Sequence, residues 1–456
     1  MAHFLEADLQ PWASGLAQAL FPDTLPSFPS AAEAPKDHWQ CVWRHLDELA
    51  PLGGAVEAVL RAWPLPLLEQ LPLTPAEWHP DLLRSHVSAG ELALSYGTAV
   101  LCCDAMPAVC DVHTLTLTLE TWQSGAMDDM YKAATKVLRA SSAFSCLRAL
   151  HKLKVNTKAM LDCSTAEQLG HALGNLPQLA CLDLSRNRIR VDGAVALAPA
   201  LTCLTSLTSL DLSRANLGDS AAYALARALG ALSHLAHLDL GLNDLDAGAT
   251  AALAPSLGNL AALTFLNLRD CDLGPSAARA VAPALCRLSQ LAHLDLFWSY
   301  VREDPDAALA QPLALLTALT FLNLGGVGEH IDFLAPSLGS LSRLAHLNLD
   351  RGCLGDDGAA ALAPHLARLT ALTALNLRGT EFRGSGAAAL APALARLTRL
   401  VSLNLCENAI GDDGARHLAP ALARLTSLSK ATVVPVMFGK PLLNNVLRFD
   451  HVQLQK

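Results

Sequence analysis

Three histidines, His237, His293 and His346, and two aspartates, Asp239 and Asp295, recur at matching places in a periodic sequence. An imidazole beside a carboxylate is the pairing used for general acid–base work. Here the spacing argues against it. Each histidine lies two residues before its acid or amide in a phrase that repeats along the chain, and evenly spaced residues on an open face lack the enclosed pocket that perturbs pKa values for catalysis. The sequence holds no Gly-rich phosphate loop, HExxH helix, GxSxG elbow or metal-spaced Cys/His cluster. Of twelve cysteines, the close group Cys102, Cys103 and Cys110 lacks paired CxxC spacing, so the cysteines read as reduced, mostly buried small apolar residues. The chain reads as a non-enzyme with no cofactor and no metal.

The elements that carry these residues follow from the repeat. LACLDLSRNRI from Leu179, LTSLDLSRANL from Leu207, LAHLDLGLNDL from Leu235 and LTFLNLRDCDL from Leu263 begin a series that continues from Leu291, Leu319, Leu344, Leu372 and Leu400. The interval is 28 residues throughout, except for one of 25 between Leu319 and Leu344. The leucines of LxL alternate along a strand into a core, and the intervening residues face outward. The rest of each unit must carry the chain back to start the next parallel strand, which an Ala-rich amphipathic helix does. Asp192, Asp219, Asp357, Ser385 and Asp413 stand where a helix N-cap is expected. Proline recurs in the helical half at Pro199, Pro255, Pro283, Pro336, Pro364, Pro392 and Pro420. There it removes a hydrogen bond, so short or kinked helices are expected.

The phrase LxxLxLxxNxL resembles the leucine-rich repeat, and the 28-residue period with its helical second half is similar to the ribonuclease-inhibitor-like class. The resemblance covers about residues 147–440, with degenerate units at Leu150 and Leu428. It implies an α/β solenoid: a curved horseshoe with parallel strands on the concave face and helices on the convex face. The asparagine of the pattern occurs only at Asn187, Asn243 and Asn408; Ala215, Cys271, Ser299, Val327, Gly352 and Thr380 replace it. An incomplete side-chain ladder and less regular middle turns are expected.

The expected organisation is a helical, Trp-rich N-terminal domain or cap over 1–110, a solenoid of about 10–11 repeats over 111–440, and a C-terminal cap or tail over 441–456. VHTLTLTLE alternates like a strand and MDDMYKAATKVLRA reads as a helix, which makes 111–150 a divergent first turn. Five of seven tryptophans lie in the N-terminal region, which reads as a solenoid cap or as a docking module for a second partner. The start lacks a long apolar segment and no stretch approaches 18 uninterrupted apolar residues, so neither a signal peptide nor a membrane span is expected. A cytoplasmic setting follows. Net charge is −9, from 33 basic and 42 acidic residues; this argues against nucleic-acid and membrane partners and favours basic proteins.

On a horseshoe, the repeat alignment reads out columns of the concave face. One runs Asp183, Asp211, Asp239, Asn267, Asp295, then Asn at 323, 348, 376 and 404. It is acidic in its N-terminal half; Asp or Asn there looks first like ordinary repeat consensus, a structural or solubilising ladder, with an acidic track for a Lys/Arg-rich protein as the alternative. The column two residues earlier runs Cys181, Ser209, His237, Phe265, His293, Phe321, His346, Ala374 and Ser402, with rings at its five central places; Phe297, Trp298 and Tyr300 stand beside it. Interface hot spots favour central aromatic residues. The repeat also becomes irregular there, with VREDPDAALAQPL after Tyr300. The candidate partner-binding set is His237, Phe265, His293, Asp295, Phe297, Trp298, Tyr300, Phe321 and His346, with Asp183, Asp211 and Asp239. A stripe of arginines, Arg287, Arg368, Arg396 and Arg424, reads as a solvated edge.

The resulting functional expectation is a non-catalytic protein-interaction scaffold or adaptor, a structural subunit of a large intracellular assembly such as the ciliary or axonemal complexes that contain similar repeat proteins. The alternatives are a regulator of a small GTPase, similar to the Ran GTPase-activating protein in repeat period alone, and an adaptor of a ubiquitin-ligase or immune-type complex. None of the GTPase activator's functional residues is matched here, no convincing F-box opening is found, and the P-loop that a NOD-like receptor needs is missing.

Overall fold

The computed structural model describes residues 91–95, 113–118, 147–156, 163–299, 308–326, 331–432 and 453–454. Fourteen strands form one parallel sheet whose spatial order follows the sequence from β1 to β14. The first three are β1 (Glu91–Ser95), β2 (Thr114–Thr118) and β3 (Lys152–Asn156). Nine three-residue strands follow, one per repeat: β4 (Cys181–Asp183), β5 (Ser209–Asp211), β6 (His237–Asp239), β7 (Phe265–Asn267), β8 (His293–Asp295), β9 (Phe321–Asn323), β10 (His346–Asn348), β11 (Ala374–Asn376) and β12 (Ser402–Asn404). The sheet ends with β13 (Lys430–Thr432) and β14 (Gln453–Leu454). VHTLTLTLE is the strand expected, and the degenerate units at Leu150 and Leu428 supply β3 and β13. β1 joins the sheet upstream of the boundary drawn at 111, and β14 falls within the stretch read as a tail. The rest of the Trp-rich region, MDDMYKAATKVLRA and most of 441–456 lie outside the described residues.

The LxL pattern operates as its alternation requires. Leu182, Leu210, Leu238, Leu266, Leu294 and Leu322 are buried, while the residues flanking each are mostly half-exposed on the opposite face. Neighbouring strands pair in a constant register, for example Leu238↔Leu266 and Leu266↔Leu294. The 25-residue interval keeps that register, since His346 pairs with Phe321. The deletion falls on the other side of the solenoid, where a 3₁₀ segment (Ile331–Leu334) and a four-residue helix replace a full helix. Sheet hydrogen bonds are lost with any slip, whereas a convex helix can shorten by a turn and still cover the core.

The convex layer comprises α1 (Cys163–Leu173), α2 (Arg190–Cys203), α3 (Gly218–Leu229), α4 (Ala247–Leu257), α5 (Pro275–Leu285), α6 (Ala310–Leu315), α7 (Ala335–Leu338), α8 (Gly355–Leu366), α9 (Gly384–Leu394) and α10 (Gly411–Leu422). Helices are wider than the ~4.8 Å strand spacing, which bends such a layer pair with the strands inside. Proline does not shorten them. The six long helices that contain it run 11–14 residues, and α3, with Arg227 at that place, has 12. The carbonyl whose in-helix donor proline removes belongs to the residue four back, such as Val195, Ala360 or Arg416, and these are exposed, where solvent can take the lost donor's place.

The N-caps are not those expected. Asp192, Asp219, Asp357, Ser385 and Asp413 sit one or two residues inside the first turn, and the cap position itself is held by residues such as Ile189, Leu217, Leu354 and Ile410. Those apolar residues belong to the core, so the helix begins directly after the last buried side chain. First-turn acids still face the positive end of the helix dipole. Side-chain capping crosses repeats instead. Asp356 of α8 accepts from the backbone N–H groups of Arg383 (2.7 Å) and Gly386 (2.8 Å) and from the Ser385 hydroxyl (2.5 Å) at the start of α9. Asp246, which caps α4 through the Ala249 N–H at 2.6 Å, is the exception that caps its own helix.

The asparagine ladder is more complete than the sequence suggests. Asn187, Asn243 and Asn408 donate to carbonyls of the preceding repeat, at Val155 (2.6 Å), Leu212 (2.8 Å) and Leu377 (2.6 Å). Ser299 donates equivalently to Leu268 at 2.9 Å, and the Cys271 thiol lies 3.8 Å from the Leu240 carbonyl. The middle strands accordingly keep the common register. A shorter hydroxyl serves where the backbone approaches closely enough. Val327 lies outside the described residues.

Candidate functional site

The concave face is built by two outward positions of each three-residue strand and one position just beyond it. In the first column the five rings do more than neighbour one another: they stack. Centroids are 3.9 Å apart for His237 and Phe265, 4.2 Å for Phe265 and His293, and 3.9 Å for His293 and Phe321, with planes within 17° of parallel. These gaps are smaller than the strand spacing of about 4.8 Å, so the rings lean into contact. The final step, Phe321 to His346, opens to 6.0 Å and 35° where the short repeat intervenes, and His346 is exposed. Stacking covers much of each ring face and leaves the edges toward the concave space.

In the second column one side-chain oxygen of each residue has a local task. Asp183, Asp211, Asp239 and Asp295 each accept from the backbone N–H two residues on at 2.9–3.0 Å, and the asparagines at 267, 323, 348, 376 and 404 do so at 2.9–3.1 Å. This turns the chain out of the strand, which explains why only Asp or Asn occupies the column. The charge is a separate matter. Asp183 is paired with Lys154 at 2.8 Å. Among the described residues, Asp211 and Asp239 have no ion-pair partner.

Burial beside the ring ladder pushes Asp239 up to about 6; the Gly241 N–H and the Asn267 amide oppose the rise, and the charges of Asp211 and Asp295 add to it. Burial raises Asp295 as well, against Arg269. His293 is pushed down to about 4, by burial first and then by the neighbouring His237 and His346. Burial lowers His237 too, against the Asp211 charge. Among the described residues no histidine–carboxylate hydrogen bond joins the two columns, and no group of three or more His, Cys, Asp or Glu is placed to hold a metal.

These shifts give opposed pH effects in one window. Below pH 6, native Asp239 binds a proton that the unfolded chain releases until about 3.8, so this group adds stability as pH falls from 6 toward 4. Native His293 stays neutral down to about 4 while its unfolded counterpart protonates near 6.5, so this group removes stability over the same fall. Urea titrations across pH 4–7 should separate them. Asp239→Asn is expected to be more stable than the parent at pH 7 and to lose stability more steeply on acidification, and His293→Phe to lose it less steeply.

The third column, just past the strands, holds Phe297. Its ring lies under the Arg269 guanidinium, 4.4 Å from carbon to centroid. A methyl group placed on Gly325 would come within 2.7 Å of that ring. Trp298 follows, parallel to Phe297 at 5.6 Å and 8°, against Gly326, and is 40% exposed. Its φ of 54° is no special strain. The equivalent residue of all nine repeats, from Arg186 to Glu407, has φ between 53° and 68°, so the left-handed turn is the repeat's own way out of the strand.

The structure thus places Asp183, Asp211, Asp239, Asp295, His237, Phe265, His293, Phe321 and His346 on one face, with Phe297 and Trp298 at its edge. Tyr300 lies outside the described residues. Reading the columns only as far as LxL misses Arg269 and the Gly325–Gly326 floor, and starting them at Leu179 misses Lys154, which is in register with Asp183. Extending the alignment one residue further shows Arg269, Phe297 and Gly325 in one column. The arginine stripe is exposed one residue beyond the C-caps of its helices, where cations suit the dipole.

Among curated proteins none matches this sequence. The family described as "Leucine Rich repeat" matches residues 177–198, 203–226, 261–282, 344–363, 369–391 and 397–419. Similar solved structures include an internalin from Listeria monocytogenes, 17% identical over 83% of this chain and 94% of that one, with a TM-score of 0.48. TLR13 in its complex with ssRNA13 is 18% identical over 78% of this chain and 54% of that one, with a TM-score of 0.44. A leucine-rich-repeat protein from Leptospira interrogans is 14% identical over 75% and 96%, with a TM-score of 0.37. No helix of the described residues is long and apolar enough to cross a membrane. With the six matched units set in a 14-stranded parallel sheet backed by helices, the chain is a leucine-rich-repeat protein.

Proposed function

We propose that this protein is a non-catalytic protein-interaction scaffold of the ribonuclease-inhibitor-like type, a structural subunit of a large intracellular assembly such as a ciliary or axonemal complex. It grips a basic partner with the concave face. The 28-residue period and the 11–14-residue helices of its regular repeats support the class. One observation carries the binding reading: the concave face sets the ring ladder beside Asp211 and Asp239, which have no ion-pair partner among the described residues, with the exposed Trp298 at its edge. Exposed aromatic groups gain by burial in a partner, and complementary charge speeds the encounter.

The test is the native size of the endogenous protein, measured by gel filtration of a gently prepared extract with mass spectrometry of co-eluting proteins, beside a tagged Trp298→Ala/Phe321→Ala variant. The native protein should elute in a large complex with constant companions. The double variant should keep its circular dichroism and lose those companions tenfold or more. Elution of the native protein alone, or companions indifferent to the variant, would overturn the reading.

A further inference from the structure

The concave face already shows how it holds one cation. Arg269 lays its guanidinium on the Phe297 ring, 4.4 Å from the centroid, and its charge acts on the Asp295 carboxylate of the adjoining strand. A ring beneath and a carboxylate beside are the two contacts that suit a planar, delocalised cation. On either side of Arg269 the two ingredients recur apart from one another, carboxylates on one side and an open ring on the other, without a cation of the described residues. Toward the N-terminus, Asp211 and Asp239 stand on the paired strands β5 and β6, beside the stacked rings of His237 and Phe265. Toward the C-terminus, the Trp298 indole is 40% exposed. Asp183 does not share this state, because Lys154 occupies it.

Resting on the concave-face reading above, we propose that the partner's recognised side chain is arginine. An arginine-bearing segment would lie along the ladder, with guanidinium groups at the Asp211–Asp239 pair and on Trp298, and Arg269 is the internal copy of that contact. Charge alone would admit lysine equally. The geometry does not. An ammonium is a compact, strongly hydrated charge that gains little by lying on a ring, and it cannot pair with a carboxylate in the bidentate fork of a guanidinium. Half-buried carboxylates flanked by rings therefore favour the cation that surrenders its water more readily. The net charge of −9 favours either base over an acidic segment.

The full chain is titrated with hexa-arginine, hexa-lysine and hexa-citrulline peptides by calorimetry at fixed salt. Hexa-arginine should bind about tenfold or more tighter than hexa-lysine, and hexa-citrulline, planar but uncharged, should not bind measurably. Asp211→Asn/Asp239→Asn and, separately, Trp298→Ala should each weaken hexa-arginine several-fold and narrow its lead over hexa-lysine. Arg269→Ala, which frees Phe297, should strengthen hexa-arginine more than hexa-lysine. Equal affinity for the two basic peptides, or hexa-arginine binding untouched by these variants, would overturn the inference. If companions in the extract still depend on Trp298 and Phe321 while the two peptides bind alike, the arginine inference falls and the concave-face reading stands. Should Trp298→Ala lose its circular dichroism, Trp298→Leu, which keeps apolar bulk without an indole, replaces it.

Discussion

Asn243→Ala is expected to lower the free energy of unfolding by about 3 kcal/mol, measured by urea denaturation followed by circular dichroism. Asn243 is fully buried. Its amide donates to the carbonyls of Leu212 and Leu240, both at 2.8 Å, and its side-chain oxygen accepts from the backbone N–H of Ala215 at 2.8 Å. Two of those partners belong to the preceding repeat, so one side chain satisfies backbone groups on both sides of a repeat junction. Alanine leaves these groups buried without partners, each at a cost of about 1–3 kcal/mol, and relaxation recovers part of the sum. Cys271, one repeat on, makes only long contacts through sulfur. Cys271→Ala should therefore cost less than about 1 kcal/mol, chiefly through lost packing. Equal losses for the two variants would mean that the polar ladder does not hold adjacent repeats together.

Gly326→Ala should destabilise the chain by about 2 kcal/mol, while Gly379→Ala, at the equivalent turn two repeats on, should cost about 1 kcal/mol. Both glycines have positive φ, 68° and 58°, and pay the left-handed penalty of a side chain. What differs is the neighbour. A methyl group on Gly326 would fall 2.1 Å from Cδ1 of Trp298, whereas on Gly379 the nearest heavy atom is Cγ of Arg351 at 3.4 Å. The indole must swing off its floor in the first case and nothing need move in the second. The same substitution should therefore change the indole N–H resonance of Trp298, assigned by its loss in Trp298→Phe, and leave Gly379→Ala without that effect. If both variants cost the same and the indole signal is unmoved, Trp298 does not rest on Gly326 and its exposure has another origin.

Much of the solenoid is legible in the residues because its determinants are local and periodic. A leucine at every second place over three residues, repeated at 28, dictates a buried strand centre and a returning helix. The columns of the concave face follow by alignment, which is why the ring and acid residues could be named together. Helix boundaries were less legible. Asp192 and Asp413 have the chemistry of a cap, yet the helix starts just after the last core residue, and the capping by Asp356 runs to the neighbouring repeat. Such a bond depends on two chain segments 27 residues apart meeting side by side, which a local pattern does not display.

From its sequence alone this protein is a parallel strand-and-helix solenoid with a ring-bearing, half-acidic open face. Only the tertiary structure decided that His237, Phe265, His293 and Phe321 stack into one ladder, that Ser299 stands in for a missing asparagine, and that Arg269 covers Phe297 while Trp298 stays 40% exposed. The physical reason is distance. Periodicity sets which residues share a column, but whether rings touch, a hydroxyl reaches a carbonyl or a cation sits on a ring turns on ångström-scale gaps between adjacent repeats. Those gaps come from the packing of strands and helices together.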